Sequence, residues 1–277
     1  MNCLGLIAGK GIYPAMVLNG ARAAQRTTSS PEHIVVAALE NETTPEWTTQ
    51  ADAVCWLRVG QLNKLLHFFS KESVNTVIMA GQITPQRLFD LRPDWKTLLL
   101  LARLRERNAE SLFGAVADEL EKNGMRVLPA TTYVENHLAQ AGHIAGPQAS
   151  RALLRNVEFG WPIAKQVSAL DIGQTVVVKN GTVLSVEGFE GTNETILRGG
   201  RLGKKDATVI KISKPNQDFR FDVPVLGSET VRAAAEVSIG GIVCEAKKTL
   251  LLELPEITEL AARHQITIFA KESSGDF

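Results

Sequence analysis

The chain has 277 residues, with 30 lysines and arginines against 30 aspartates and glutamates, and 44% of its residues are hydrophobic. Balanced charge excludes the basic surplus of a nucleic-acid-binding domain, and three scattered cysteines (Cys3, Cys55, Cys244), none in a CxxC, exclude a disulfide framework or a cysteine zinc site. The longest aliphatic run, Leu98–Ala102, is far short of the ~20 residues of a membrane span, and the start MNCLGLIAGKG lacks a signal peptide's basic end and apolar length, so a cytoplasmic location is expected.

The first half alternates strand and helix signals. CLGLIA (3–8) reads as a buried strand, and Pro14 suits the first turn of a helix running to about Gln25. IVVAAL (34–39) and AVCWLRV (53–59) are two more strands; 61–71 has helical apolar spacing, and TVIMAG (76–81) is a fourth strand. Helices near 95–106 and 109–123 follow, the second ending on Gly124 as its C-cap, and MRVLPA (125–130) is a fifth strand. Leu98–Leu101 with Leu104 read as core-facing, or as the lining of an apolar pocket. Continuous apolar strands alternating with helices predict a parallel sheet covered on both faces, with ligands at the carboxyl ends of its strands. The expected fold class is therefore α/β, with a Rossmann-like N-terminal domain over residues 1–130.

Residues 131–149 are polar and glycine-rich, and read as a linker with one short helical piece at 133–140. In the C-terminal domain, 150–277, a helix from about 148 to 169 leads into VVVKNGTVLSVEG (176–188), where Asn180-Gly181 between β-branched runs signals a hairpin. Strands follow at 207–213 and 219–224, then an alanine-rich helix over 230–240, a strand at 249–253, a helix at 255–265 and a strand at 266–270. A hairpin with mixed elements predicts an α+β domain with a mixed sheet.

Gly9-Lys10-Gly11 occupies the first strand–helix turn, the place of a Rossmann pyrophosphate loop. Pro14 stands where the third glycine of GxGxxG belongs, and Glu40 falls beyond the usual ribose-binding acid. A nicotinamide-dependent oxidoreductase is thereby disfavoured; the turn receives another phosphate or polar ligand, or is purely structural. The five histidines show no metal-binding spacing. Residues 211–230, KISKPNQDFRFDVPVLGSET, carry more chemistry. If 219–224 is a strand, Asp218, Arg220 and Asp222 share one face and Phe219, Phe221 and Val223 the other. Pro224 ends the pairing, Gly227-Ser228 opens a helix with Ser228 as N-cap, and Lys211 and Lys214 stand upstream. Carboxylates, cations and a helix N-terminus together suggest phosphate chemistry. The competing reading is an edge strand with a salt-bridged ladder.

Together these blocks resemble the UDP-2,3-diacylglucosamine pyrophosphatases of the LpxI type, which act in lipid A biosynthesis in Gram-negative bacteria. The resemblance runs in order through LGLIAGKGIYP (4–14), MAGQITP (79–85), DIGQTVVVKNGTVLSVEGFEGTN (171–193) and KPNQDFRFDVPVLGSET (214–230). The chain departs from the family's pattern at Asn193, where EGTD is usual, and at Asn108 and Glu110, where paired aspartates are common. The resemblance implies hydrolysis to UMP and 2,3-diacylglucosamine 1-phosphate (lipid X), with Mg²⁺ or Mn²⁺ as cofactor and a ligand cleft between the domains. It implies catalytic roles for Asp222, Asp218 and Arg220, with Asp222 the principal acid, and metal ligation by Asp222, Asp218 and Glu190. Substrate contacts are expected from Gly9, Gly11, Gly81, Gln82, Thr192, Lys211, Lys214, Gly227, Ser228 and Thr230. The implied partner is a lipid-linked sugar nucleotide, not a nucleic acid; transient peripheral contact with the inner membrane and a homodimer are both compatible with it. The rival class is a protein that binds such a ligand without turning it over.

Overall fold

A computed structural model describes residues 2–25, 31–84, 93–104 and 108–273. The chain forms two compact units, Met1–Glu135 with Asp218–Asp222, and Asn136–Gln217 with Val223–Phe277.

In the first unit, strands β1 (Cys3–Ala8), β2 (His33–Leu39), β3 (Ala53–Leu57), β4 (Thr76–Ala80) and β5 (Arg126–Val127) alternate with helices α1 (Tyr13–Ala24), α2 (Leu62–Lys71), α3 (Trp95–Arg103) and α4 (Ala109–Lys122). The strands are all parallel, in the order β3-β2-β1-β4-β5. This is the α/β, Rossmann-like arrangement that the apolar runs predict. β1 and β2 are almost wholly buried, as strands covered on both faces must be. In register, Leu4 sits beside Ile34 on one side and Thr76 on the other. The leucine run of α3 is not all core-facing: Leu98 and Leu99 are 55% and 52% exposed. Leu99, Leu100 and Leu104 line a groove of about 220 Å³ with Trp95 and Ala115. Pro85, at the end of the MAGQITP block, lies outside the described residues.

The second unit contains β6 (Gly142–Ala145), α5 (Arg151–Ala169), the hairpin β7 (Thr175–Lys179) and β8 (Thr182–Val186), α6 (Thr192–Gly203), β9 (Thr208–Lys211), β10 (Val225–Leu226), α7 (Ser228–Glu236), β11 (Gly241–Glu245), β12 (Leu250–Leu251), α8 (Leu254–Arg263) and β13 (Thr267–Lys271). Its main sheet runs β6-β13-β11-β9-β7-β8. β9, β11 and β13 are parallel to each other, while β6, β7 and β8 each join antiparallel, giving the expected mixed sheet. Asn180 and Gly181 both have positive φ, as the hairpin turn requires. Alternation divides the core between the two faces. Val176, Val178 and Ile210 pack with Leu153, Val157 and Trp161 of α5; Val177 and Val209 face Ile196 of α6 and Val231 of α7.

Two local expectations are overturned. Residues 131–149 are more than a linker, because Gly142–Ala145 is the edge strand beside β13. Residues 219–224 form no strand. The chain turns there, with the Phe221 and Asp222 amides donating to the Asp218 carbonyl at 3.2 and 2.9 Å. The Asp218 carboxylate also accepts the Arg220 amide at 3.0 Å. An aspartate that captures the amide two residues on offers the backbone a local alternative to a ladder, and Pro224 can donate to none. Among the described residues no helix is long and apolar enough to cross a membrane.

Candidate functional site

The first unit brings the two glycine turns together. Lys10 and Gln82 exchange backbone hydrogen bonds at 2.7 and 3.1 Å, and the Gly9 amide donates to the Ala80 carbonyl. A Cβ on Gly9 would meet the Gln82 oxygen at 2.4 Å, and one on Gly81 (φ +94°) the Gly9 carbonyl carbon at 2.8 Å. The loops after β1 and β4 are thus zipped backbone to backbone, and that contact by itself requires both glycines. It occupies the amides of Gly9, Lys10 and Gln82. Gly11 (φ +93°) stands clear beside the start of α1, which has no side-chain cap. Glu42 is buried behind this junction and accepts from the Thr84 amide and hydroxyl at 3.2 and 3.0 Å.

The turn Asp218–Asp222 also belongs to the first unit, although the chain on either side of it belongs to the second. Arg220 forks onto Asp218, with Nη2 at 2.8 Å and Nε at 3.1 Å from both carboxylate oxygens. Its Nη1 lies 3.4 Å from Asp118 and 3.3 Å from Glu121, both on α4. Hydrogen bonds from Arg220 hold Asp218 below the usual carboxylate range, and Asp218 raises the Arg220 guanidinium in return. Asp222 closes the turn.

In the second unit the candidate residues gather at the carboxyl ends of the parallel strands. Lys211 ends β9 and is buried, at 8% exposure. Its Nζ donates to the Thr192 hydroxyl at 2.8 Å, which donates to Glu187 at 2.8 Å; Thr175 lies 3.4 Å from the same hydroxyl. No ion pair among the described residues includes Lys211. Thr192 is the first residue of α6. The N-cap of that helix, Gly191, has φ 84° and no capping side chain, so the first-turn amides point outward. A buried cation beside an uncapped start of a twelve-residue helix suits a phosphoryl group.

The other expected contacts are placed less simply. Lys214 is paired with Asp171. Gly227, not Ser228, is the N-cap of α7; Ser228 is its first helical residue and donates to Glu253 at 2.8 Å. The sequence-based cap assignment is corrected accordingly: the extended, non-helical backbone of the N-cap falls at Gly227, which puts Ser228 one position inside the helix, where its hydroxyl donates outward to a charged acceptor. Thr230 is buried in the same first turn. Glu190 is held below its ordinary range by its own backbone amide and by Arg198, which lies 2.5 Å away.

Of the three acids expected to hold a metal, Asp218 and Glu190 are each gripped by an arginine and would have to exchange it first. Among the described residues no three His, Cys, Asp or Glu side chains converge as a metal cage.

Beneath Lys211 lies a buried network that the sequence did not reveal. Glu245, fully buried at the end of β11, accepts from Lys165 and Lys248 at 2.8 and 2.9 Å and from the Ser213 amide and hydroxyl at 2.8 and 2.7 Å. Burial pushes its pKa up, but the donors Lys165, Ser273 and Ser213 outweigh that and bring it down to about 2. The only sequence hint is an acid closing the apolar run GIVC.

Residues 3–137 match the LpxI N-terminal domain family and residues 140–269 the LpxI C-terminal domain family. The chain is 27% identical over 280 positions to UDP-2,3-diacylglucosamine pyrophosphatase LpxI from Caulobacter vibrioides, covering 97% of this chain and 96% of that protein. Among solved structures, N5-carboxyaminoimidazole ribonucleotide synthetase from Thermotoga maritima aligns with TM-score 0.25 and 13% identity, over 69% of this chain and 42% of that one. Pal from Bacillus thuringiensis aligns with TM-score 0.32 and 11% identity, over 98% and 86%. Structural likeness at that level carries no argument.

Proposed function

The chain belongs to the LpxI family, and from that premise we propose that it hydrolyses the pyrophosphate of UDP-2,3-diacylglucosamine, releasing UMP and 2,3-diacylglucosamine 1-phosphate. The observation that carries the reading beyond family membership is the buried Lys211 aimed at the uncapped start of α6. A pyrophosphate holds adjacent negative charges that must be offset before water can attack. Lys211 supplies a full charge with little competing solvent, and the first amides of α6 supply oriented dipoles. Glu187 fixes the Thr192 hydroxyl, and so the point from which Lys211 is directed. Lys214, at the head of the signature segment, is a second cation for the substrate.

In this reading Asp222 is the principal acid, orienting the attacking water and receiving its proton. Asp222 would be the residue to hold Mg²⁺ or Mn²⁺, which would supply charge neutralisation. Hydrolysis of this kind needs no covalent intermediate. The buried Cys3 and Cys244 have thiols pushed up to about 11 and about 12 by burial, unsuited to nucleophilic attack at neutral pH.

The test is direct. Purified protein incubated with UDP-2,3-diacylglucosamine and Mg²⁺ should release UMP and the 1-phosphate in equal amounts. Tight binding of the sugar nucleotide without UMP release, with Mg²⁺ or Mn²⁺ present, would make it a binding protein.

A further inference from the structure

We propose that Asp118 and Glu121 on α4, acting through Arg220, are positioning residues that hold the Asp222 turn in place, and that Arg220 serves this tether instead of touching substrate phosphate. The inference rests on Asp222 being the acid of the proposed reaction.

The turn has little regular structure of its own. Five residues cross into the first unit and return, with no ladder to fix them. Attachments to the rest of the first unit hold them. The Phe219 carbonyl accepts the Ala130 amide at 2.7 Å. The Phe221 ring lies 6.1 Å from that of Phe113, near Gly114 on the same helix. Arg220 makes another, and it is charged. Its planar fork is filled on one edge by Asp218, inside the turn, and on the other by Asp118 and Glu121, outside it. A guanidinium can bridge two elements in this way because its donors diverge from one rigid plane. Among the described residues the acceptors of the Arg220 side chain are carboxylates, and a guanidinium so occupied has few donors left for a phosphate.

The turn's internal hydrogen bonds then transmit the anchoring. Asp218 carries the carbonyl that receives the Phe221 and Asp222 amides. Fixing Asp218 from the side chain therefore fixes the backbone from which Asp222 projects. Asp118 and Glu121 are themselves 57% and 44% exposed, so each contact is a modest one.

The experiment compares Asp118→Asn/Glu121→Gln, Arg220→Gln and the triple variant in the full-length protein. The helix-face pair is expected to lower kcat roughly fivefold, the equivalent of about 1 kcal/mol, with KM and UMP affinity unchanged. Arg220→Gln should lower kcat further, and the triple variant should be no worse than Arg220→Gln alone, because the three act as one unit. Amide hydrogen exchange gives a readout that needs no turnover: protection of Phe221 and Asp222 should fall in the helix-face variant while the core strands keep theirs. Unchanged protection overturns the tether whether or not the protein hydrolyses the sugar nucleotide. Additive losses of kcat, or an Arg220→Gln variant whose main defect is UMP affinity, would return Arg220 to the substrate. If protection falls as expected but no substrate is turned over, the tether stands and the proposed reaction fails.

Discussion

Replacing Lys211 with methionine should separate affinity from stability, moving them in opposite directions. The side chain is 8% exposed, its Nζ is 2.8 Å from the Thr192 hydroxyl, and no ion pair among the described residues neutralises it. In the free protein it is thus a buried charge with a hydroxyl for company, an arrangement that burial disfavours. Methionine has nearly the same length, fills the same channel and needs no partner, and Thr192 keeps Glu187. Stability of the unliganded protein should stay level or rise by about 1 kcal/mol, which for a chain of this size lifts Tm by roughly 2–4 °C. Affinity should fall. A hydrogen bond from a charged donor contributes about 1.5–3 kcal/mol, so Kd for UMP or for the 1-phosphate product should weaken roughly tenfold to 150-fold. Titration calorimetry with each product and thermal unfolding without ligand measure both arms. If Tm fell by more than about 6 °C while both affinities stayed intact, Lys211 would be a structural pillar and the phosphate-seat argument would be wrong.

Asp222→Ala should leave a folded protein, with the Tm near that of the parent, and reduce kcat by at least ~10²-fold; near-normal turnover would move the principal role to another acid. Activity should disappear in EDTA and return with Mg²⁺ or Mn²⁺, and full turnover in exhaustively chelated buffer would remove the metal from the scheme. For Glu245, whose folded pKa of about 2 lies below its ordinary 4.5, the ionised form is favoured by folding. That contribution, about 3 kcal/mol by linkage, is fully present above pH 4.5 and is lost as the pH falls toward 2. Urea unfolding should therefore show Glu245→Gln less stable than the parent at pH 7, with the gap narrowing below pH 4.5; a gap independent of pH would contradict the assignment.

Much of the fold was legible in the residues because burial dictates pattern. Strands such as CLGLIA and IVVAAL are covered on both faces, so every residue is apolar and the run stands out from amphipathic helices such as α2. The Asn180-Gly181 turn was legible for a local reason, since both residues must adopt positive φ. The candidate phosphate seat was half legible. Thr192 and Lys211 could be named, but 19 positions separate them, and only the pairing of β9 with β7 and the packing of α6 bring Lys211 Nζ to the helix start. The segment 218–222 misled because its alternation of charged and apolar residues mimics a strand. What decided otherwise was the Asp218 side chain competing for the backbone, together with Asp118 and Glu121, roughly a hundred residues away, drawing Arg220 to α4. Glu245 shows the same limit: its neighbours in sequence announce a buried strand, but Lys165, Ser213 and Ser273, which help keep it ionised, come from α5, the end of β9 and the chain beyond β13, which only the folded sheet assembles.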